Sequence, residues 1–168
     1  QSGGKGSGIY VTRDGGDTWK RLSGNGLPKL PVGKISLTIP KADSKRIYAL
    51  IETSDSVPMN GKEGESGELW RSDDGGEKWM LVSQDMNLGG RGAYYTRCKV
   101  TPDNPDEIYF MASAYSNSKD GGKTTHIAES QPNWDHHEMW IDPTNGNRQA
   151  VAGDGGISFS QNRGKTWF

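Results

Sequence analysis

The chain has 168 residues, with 20 Lys and Arg against 21 Asp and Glu, so a formal charge of −1 offers no basic surface for nucleic acid or an anionic membrane. No apolar run approaches the ~18 residues of a membrane span, and the single Cys98 excludes an internal disulfide. Gly at 24 residues is about twice the usual ~7% share and accompanies six Trp and six Tyr, which points to β structure with many tight turns.

Gln1 to Gly8 is a Gly/Ser/Lys-rich start with no pattern of its own. Gly8–Thr12 alternates apolar and polar residues and runs into Thr12-Arg13-Asp14-Gly15-Gly16-Asp17-Thr18-Trp19, after which Thr18–Leu22 reads as the partner strand. The octapeptide recurs as Ser72-Asp73-Asp74-Gly75-Gly76-Glu77-Lys78-Trp79 and as Ser118-Lys119-Asp120-Gly121-Gly122-Lys123-Thr124-Thr125. The fourth copy, Ser160-Gln161-Asn162-Arg163-Gly164-Lys165-Thr166-Trp167, has Asn for Asp and Arg for the first Gly. Such recurrence marks a repeat protein.

Each copy is a hairpin turn in which the Asp accepts backbone N–H bonds and Gly supplies positive φ. The closing Trp is an apolar anchor on a neighbouring element. Asp14, Asp74, Asp120 and Asn162, with Trp19, Trp79 and Trp167, are therefore assigned to structure, because a carboxylate occupied by backbone donors is a poor proton shuttle.

Between the copies runs a second rhyme. A strand ending near Pro leads through a polar turn to a second strand, then to a third, the octapeptide and a fourth. Strands over 34–39, 46–52, 68–72 and 78–82 make one round, with Thr53–Gly67 as a long exposed loop. Strands over 94–100, 107–112, 114–118 and 124–128 make the next, and 137–141, 148–152 and 156–160 begin a third. The boundaries are 8–22 for a half unit, 33–83 and 93–128 for whole units, and 136–168 for an incomplete one. Each unit is predicted to be a four-stranded antiparallel propeller blade, so the fold class is all-β, a partial β-propeller. A ring needs at least four blades, which makes these residues read as an excerpt of a longer propeller; assembly of several copies is the alternative.

The octapeptides resemble the Asp-box, or bacterial-neuraminidase (BNR) repeat, of sialidases, sortilin-type receptors and xyloglucan-degrading glycoside hydrolases. Segments such as Arg91-Gly92-Ala93-Tyr94-Tyr95, Asp135-His136-His137-Glu138-Met139-Trp140-Ile141-Asp142-Pro143 and Gly153-Asp154-Gly155-Gly156 are similar to bacterial sortilin-like Asp-box proteins labelled as glycosyl hydrolases. The resemblance implies a propeller whose boxes join the third and fourth strands, and an exported protein. It leaves function open between enzyme, receptor and assembly factor.

In that geometry the boxes share one rim with the turns between first and second strands. The opposite rim carries Thr53–Gly67, Gln84–Gly92, Tyr94, Tyr95, Gln131–His137 and Gly153-Asp154-Gly155. Arg91, Tyr94 and Tyr95 offer a platform for a sugar or peptide, since aromatic faces stack on pyranose rings and Arg grips carboxylates. The alternative for the tyrosines is packing between blades. Asp135, His136, His137 and Glu138 form the densest polar cluster, with His126 as a further candidate from a neighbouring strand. Adjacent histidines on a strand point to opposite faces, so His136 and His137 do not readily share a metal, and neither a metal nor a cofactor is assigned.

A glycosidase needs two carboxyl groups roughly 5–9.5 Å apart, and Asp135 with Asp154 is the pair to nominate. No arginine triad with a Tyr nucleophile is present. The leading expectation is a binding scaffold for a glycan or protein segment, partnered also by the rest of its own propeller. The alternative is a xyloglucanase-like glycoside hydrolase, and a purely architectural role is the third reading.

Overall fold

A computed structural model describes residues 3–29, 31–52, 67–89 and 94–168. The predicted loop at Thr53–Gly67 therefore lies almost wholly outside the described residues, as does Arg91. Thirteen strands are described: β1 Tyr10–Val11, β2 Lys20–Arg21, β3 Ile35–Thr38, β4 Ile47–Ile51, β5 Glu68–Ser72, β6 Met80–Ser83, β7 Arg97–Val100, β8 Ile108–Met111, β9 Ser116–Ser118, β10 His126–Ile127, β11 His136–Ile141, β12 Gln149–Gly153 and β13 Gly156–Ser160. They form four antiparallel sheets in chain order: β1-β2, β3-β4-β5-β6, β7-β8-β9-β10 and β11-β12-β13. A fourth strand opens on the last sheet, where Phe168 exchanges both backbone hydrogen bonds with Phe159 at 3.0 and 2.9 Å.

The sheets stack face to face, and period-two alternation distributes side chains between two neighbours. On β4, Tyr48 and Leu50 pack with Cys98, Val100, Ile108 and Phe110 of the next sheet. The alternate residues Ala49 and Ile51 pack the other way, on Ile9, Val32 and Trp79. Likewise Ile108 and Phe110 of β8 face back, while Tyr109 and Met111 join Met139, Ile141 and Val151 of the third round. This explains why β4 and β8 read as continuous apolar runs: each is buried on both faces. Cys98 is a core residue, its thiol pushed up to about 11 by burial.

The first strand of each round is innermost, and these strands lie side by side. Ser36 Oγ accepts from the Cys98 N–H at 3.2 Å and Thr38 Oγ1 from the Val100 N–H at 3.1 Å, tying β3 to β7. Arg97 Nε lies 3.7 Å from Glu138 Oε2 across β7 and β11.

The four octapeptides fold alike. In the second, Ser72 Oγ accepts from Gly76 N–H at 2.8 Å and donates to Asp74 Oδ1 at 2.8 Å, which also accepts from Lys78 N–H at 2.9 Å. Trp79 Nε1 donates to the Gly76 carbonyl at 3.0 Å. The third copy repeats the Ser118, Asp120 and Gly122 bonds without the Trp, and the fourth makes the same set with the Asn162 amide oxygen. Bonds from Gly75 to the Lys45 carbonyl, Gly121 to Asp106 and Arg163 to Asn147 fasten the second, third and fourth hairpins to the turns between first and second strands. All these turns therefore share one rim.

Arg163 stands at φ 62° where the other copies have Gly. Its guanidinium offsets that conformation by reaching back to the preceding sheet, with Glu107 Oε2 at 2.6 Å and Asp103 beyond it. Trp79 and Trp167 pack on the preceding sheet, whereas Trp19 is 60% exposed. Leu37 and Ile39 are exposed as well, and Trp140, Ile157 and Phe159 are exposed on the face of the last sheet opposite the buried Met139 and Val151.

Candidate functional site

The rim opposite the octapeptides is built by the segments entering β7 and β11 and by the β12–β13 hairpin. The entry to β11 is bolted down before it reaches the strand. Gln131 donates to the carbonyls of Tyr115 and Ala128 at 2.9 and 2.6 Å and accepts from the Tyr115 N–H at 2.8 Å. Ser158 Oγ donates to the Pro132 carbonyl at 2.9 Å, fixing the same segment to β13. Asp135 then turns at φ 56°, in the left-handed region that Asp tolerates better than most residues. Its backbone N–H donates to Ser113 O at 3.3 Å, and its own carbonyl accepts from the Asp154 N–H at 3.3 Å. A Cβ at Gly153 would press on the Trp134 and Asp135 carbonyls at 2.8 Å, so only Gly lets the hairpin approach this closely.

This scaffold brings five of the sequence-predicted residues together. The Tyr95 hydroxyl donates to Asp135 Oδ1, and His137 Nε2 meets Asp154 Oδ1 at 2.8 Å. The Tyr94 and Tyr95 rings meet edge to face at 4.8 Å between centroids. His137 completes the group at 5.5 Å from Tyr94 and 5.9 Å from Tyr95. Tyr95 is buried and holds the base of the cluster. Tyr94 is 51% exposed, and the Asp154 side chain is 64% exposed, so these two face outward with the half-exposed His137.

His136 is separated from the group by the alternation of the strand. It is fully buried, with Nδ1 2.9 Å from the Ala112 carbonyl and its ring against Tyr115. A carbonyl can only accept, so Nδ1 carries the proton. Burial holds the imidazole below its usual pKa and favours the neutral form. Glu138 pairs with Arg97, and His126 lies on the outermost strand β10, paired with Asn117. Among the described residues, no three of His, Cys, Asp and Glu gather in a way that could hold a metal.

A groove of about 900 Å³ lies elsewhere, between β9–β10 and the fourth octapeptide, lined by His126, Glu107 and Arg163 among others. Within it Arg163 is paired with Glu107 and Asp103. Sequence reasoning gave no separate role to Trp134, which is 65% exposed beside Asp135. Its position in the segment entering an inner strand was the available signal. Among the described residues, no helix is long and apolar enough to cross a membrane.

No protein-family model matches the chain, and no curated protein matches it. Solved structures do. The GH74 xyloglucanase from Xanthomonas campestris superposes with a TM-score of 0.62 at 17% identity, over 79% of this chain and 22% of its own. The GH74 enzyme of Niastella koreensis gives 0.61 at 17% identity, over 80% and 22%. YCF48 bound to D1 peptide gives 0.53 at 17% identity, over 95% of this chain and 60% of that one. The chain thus spans about a fifth of the GH74 structures. At these identities the likeness speaks to architecture: the chain is all-β, a partial β-propeller of four-stranded antiparallel blades.

Proposed function

We propose that the chain is part of a binding scaffold that recognises a protein segment or a glycan on the rim opposite its octapeptide hairpins. The observation that carries this reading is the clustering of Tyr94, Tyr95 and His137 beside Asp135 and Asp154 at the mouths of two successive inner strands. Exposed aromatic faces with fixed polar neighbours are the usual makings of a recognition surface. The solved YCF48 with D1 peptide offers a peptide-bound protein of similar architecture. Arg91, which the sequence groups with these tyrosines, lies outside the described residues, and His136 acts from within by holding the strand that presents His137. The hairpins are Asp-boxes of the sortilin-like kind, in an exported protein, and further blades of the same propeller cover the exposed Trp140, Ile157 and Phe159.

The second reading is a glycoside hydrolase acting on polysaccharide through Asp135 and Asp154. It draws on the GH74 likeness and on the two residues sharing a rim and a backbone hydrogen bond. Against it, each carboxylate already has a side-chain partner, Tyr95 for Asp135 and His137 for Asp154.

Calorimetry against peptides and xyloglucan oligosaccharides, run beside a reducing-end assay on xyloglucan, separates the two. The scaffold reading expects binding that Tyr94→Ala abolishes and no turnover. Turnover lost in both Asp135→Asn and Asp154→Asn establishes the hydrolase and ends the scaffold reading.

A further inference from the structure

We infer that the group seated at Tyr94, His137 and Asp154 is a cation, an ammonium or guanidinium of the bound partner. This deepens the binding reading above and rests on it. The cluster holds two carboxylates, and neither contact described for them brings a fixed positive charge. Tyr95 gives Asp135 a neutral hydroxyl, and His137 carries charge beside Asp154 only when protonated. The Arg97 guanidinium on the adjoining strand faces Glu138, so that pair adds no net charge. The cluster as described is therefore electronegative, by up to two charges.

The aromatic rings add to this. A ring face carries the negative part of the quadrupole and attracts cations within about 6 Å of its centroid. Tyr94 stands half exposed with Tyr95 and His137 packed about it, so it is held in place without being covered. Asp154 Oδ1 is taken by His137, which orients the carboxylate, and the carboxylate remains largely exposed. A cation lying on Tyr94 and against Asp154 would meet an aromatic face and a charge-assisted hydrogen bond together. An anionic group would meet Asp154 and Asp135 as like charges. A neutral sugar would gain the stacking and hydroxyl hydrogen bonds to the carboxylate, without an opposite charge to pair with it.

The test uses the whole chain and a set of otherwise identical short peptides whose central residue is Lys, Arg, Gln or Glu, with affinity measured by calorimetry. The expected order is Lys or Arg over Gln over Glu. Asp154→Asn should weaken the Lys and Arg peptides roughly tenfold and leave the Gln peptide unchanged. Tyr94→Ala should abolish binding of the cationic peptides. Lys165→Ala, on the octapeptide rim, should change nothing. The Asn amide can still accept from His137, and an unchanged near-ultraviolet spectrum for Asp154→Asn checks that the cluster is intact.

Equal affinity for all four peptides, a preference for Glu, absence of binding, or cationic binding indifferent to Asp154→Asn overturns the inference. If Tyr94→Ala still abolishes binding of an oligosaccharide or of the Glu peptide, the scaffold reading survives while this one falls. If Tyr94→Ala changes no ligand's binding, both fall.

Discussion

The two rims use the same residue type for opposite ends. On the octapeptide rim, Asp120 accepts from the Thr124 backbone N–H and from the hydroxyls of Thr124 and Ser118. These donors, the backbone bond foremost, hold its carboxyl down at about 2. On the other rim, Asp135 and Asp154 take their carboxylate contacts from the side chains of Tyr95 and His137, drawn from other strands. A carboxylate closed within its own eight residues braces a turn. One whose partners come from 40 and 17 residues away marks a place where segments of the chain converge. The comparison teaches that the octapeptide Asp120 and the Asp135–Asp154 pair differ in the origin of their hydrogen-bond donors.

The largest expected effect comes from filling the hairpin rim. Gly122 sits at φ 90°, and a Cβ there would collide with Leu69 Cδ2 in the fully buried core between two blades. Gly122→Ala is expected to cost roughly 2–4 kcal/mol of unfolding free energy by denaturant titration. Next comes Ser118→Ala. It removes a fully buried hydroxyl that donates to Asp120 and accepts from the Gly122 N–H, leaving that donor without its partner, for about 1–3 kcal/mol. A Ser118→Ala protein as stable as the parent would mean that the hairpins are ornaments.

Acid provides a milder probe. Because the folded pKa of Asp120 is depressed, its contribution is present above the unfolded value of ~3.9 and is lost as pH falls through about 2. Asp120→Asn should flatten the stability profile between those values in urea melts. The Asn162 hairpin does not titrate, so it contributes nothing to this slope. The smallest stability effect belongs to the opposite rim: Tyr94→Ala should lie within about 0.5 kcal/mol of the parent while removing ligand binding. A large loss of stability there would make Tyr94 a packing residue and erase the distinction between the rims.

Most of the fold was legible because its signals are local. The Ser-Asp-Gly-Gly pattern encodes a hairpin within eight residues, and β4 and β8 announce burial on both faces by their unbroken apolar runs. Opposite orientations for His136 and His137 were expected from strand alternation, and the structure has one buried and the other half exposed, with a register shift between His136 and Glu138 that the alternation did not reveal. The exposure of Trp19 was not legible, since a motif does not reveal whether a neighbour stands beside it. Nor was the partnering of Asp154 with His137, which depends on how closely the Gly153 hairpin approaches the carbonyls of Trp134 and Asp135.

By itself the sequence determined the turns, the strand order and the side of each strand that meets a core, because hydrogen bonds within a hairpin and period-two alternation need no distant partner. Only the tertiary structure decided which acids meet which bases and rings. Such pairings join residues tens of positions apart, and their distances follow from the stacking of whole sheets, which no short stretch of residues records.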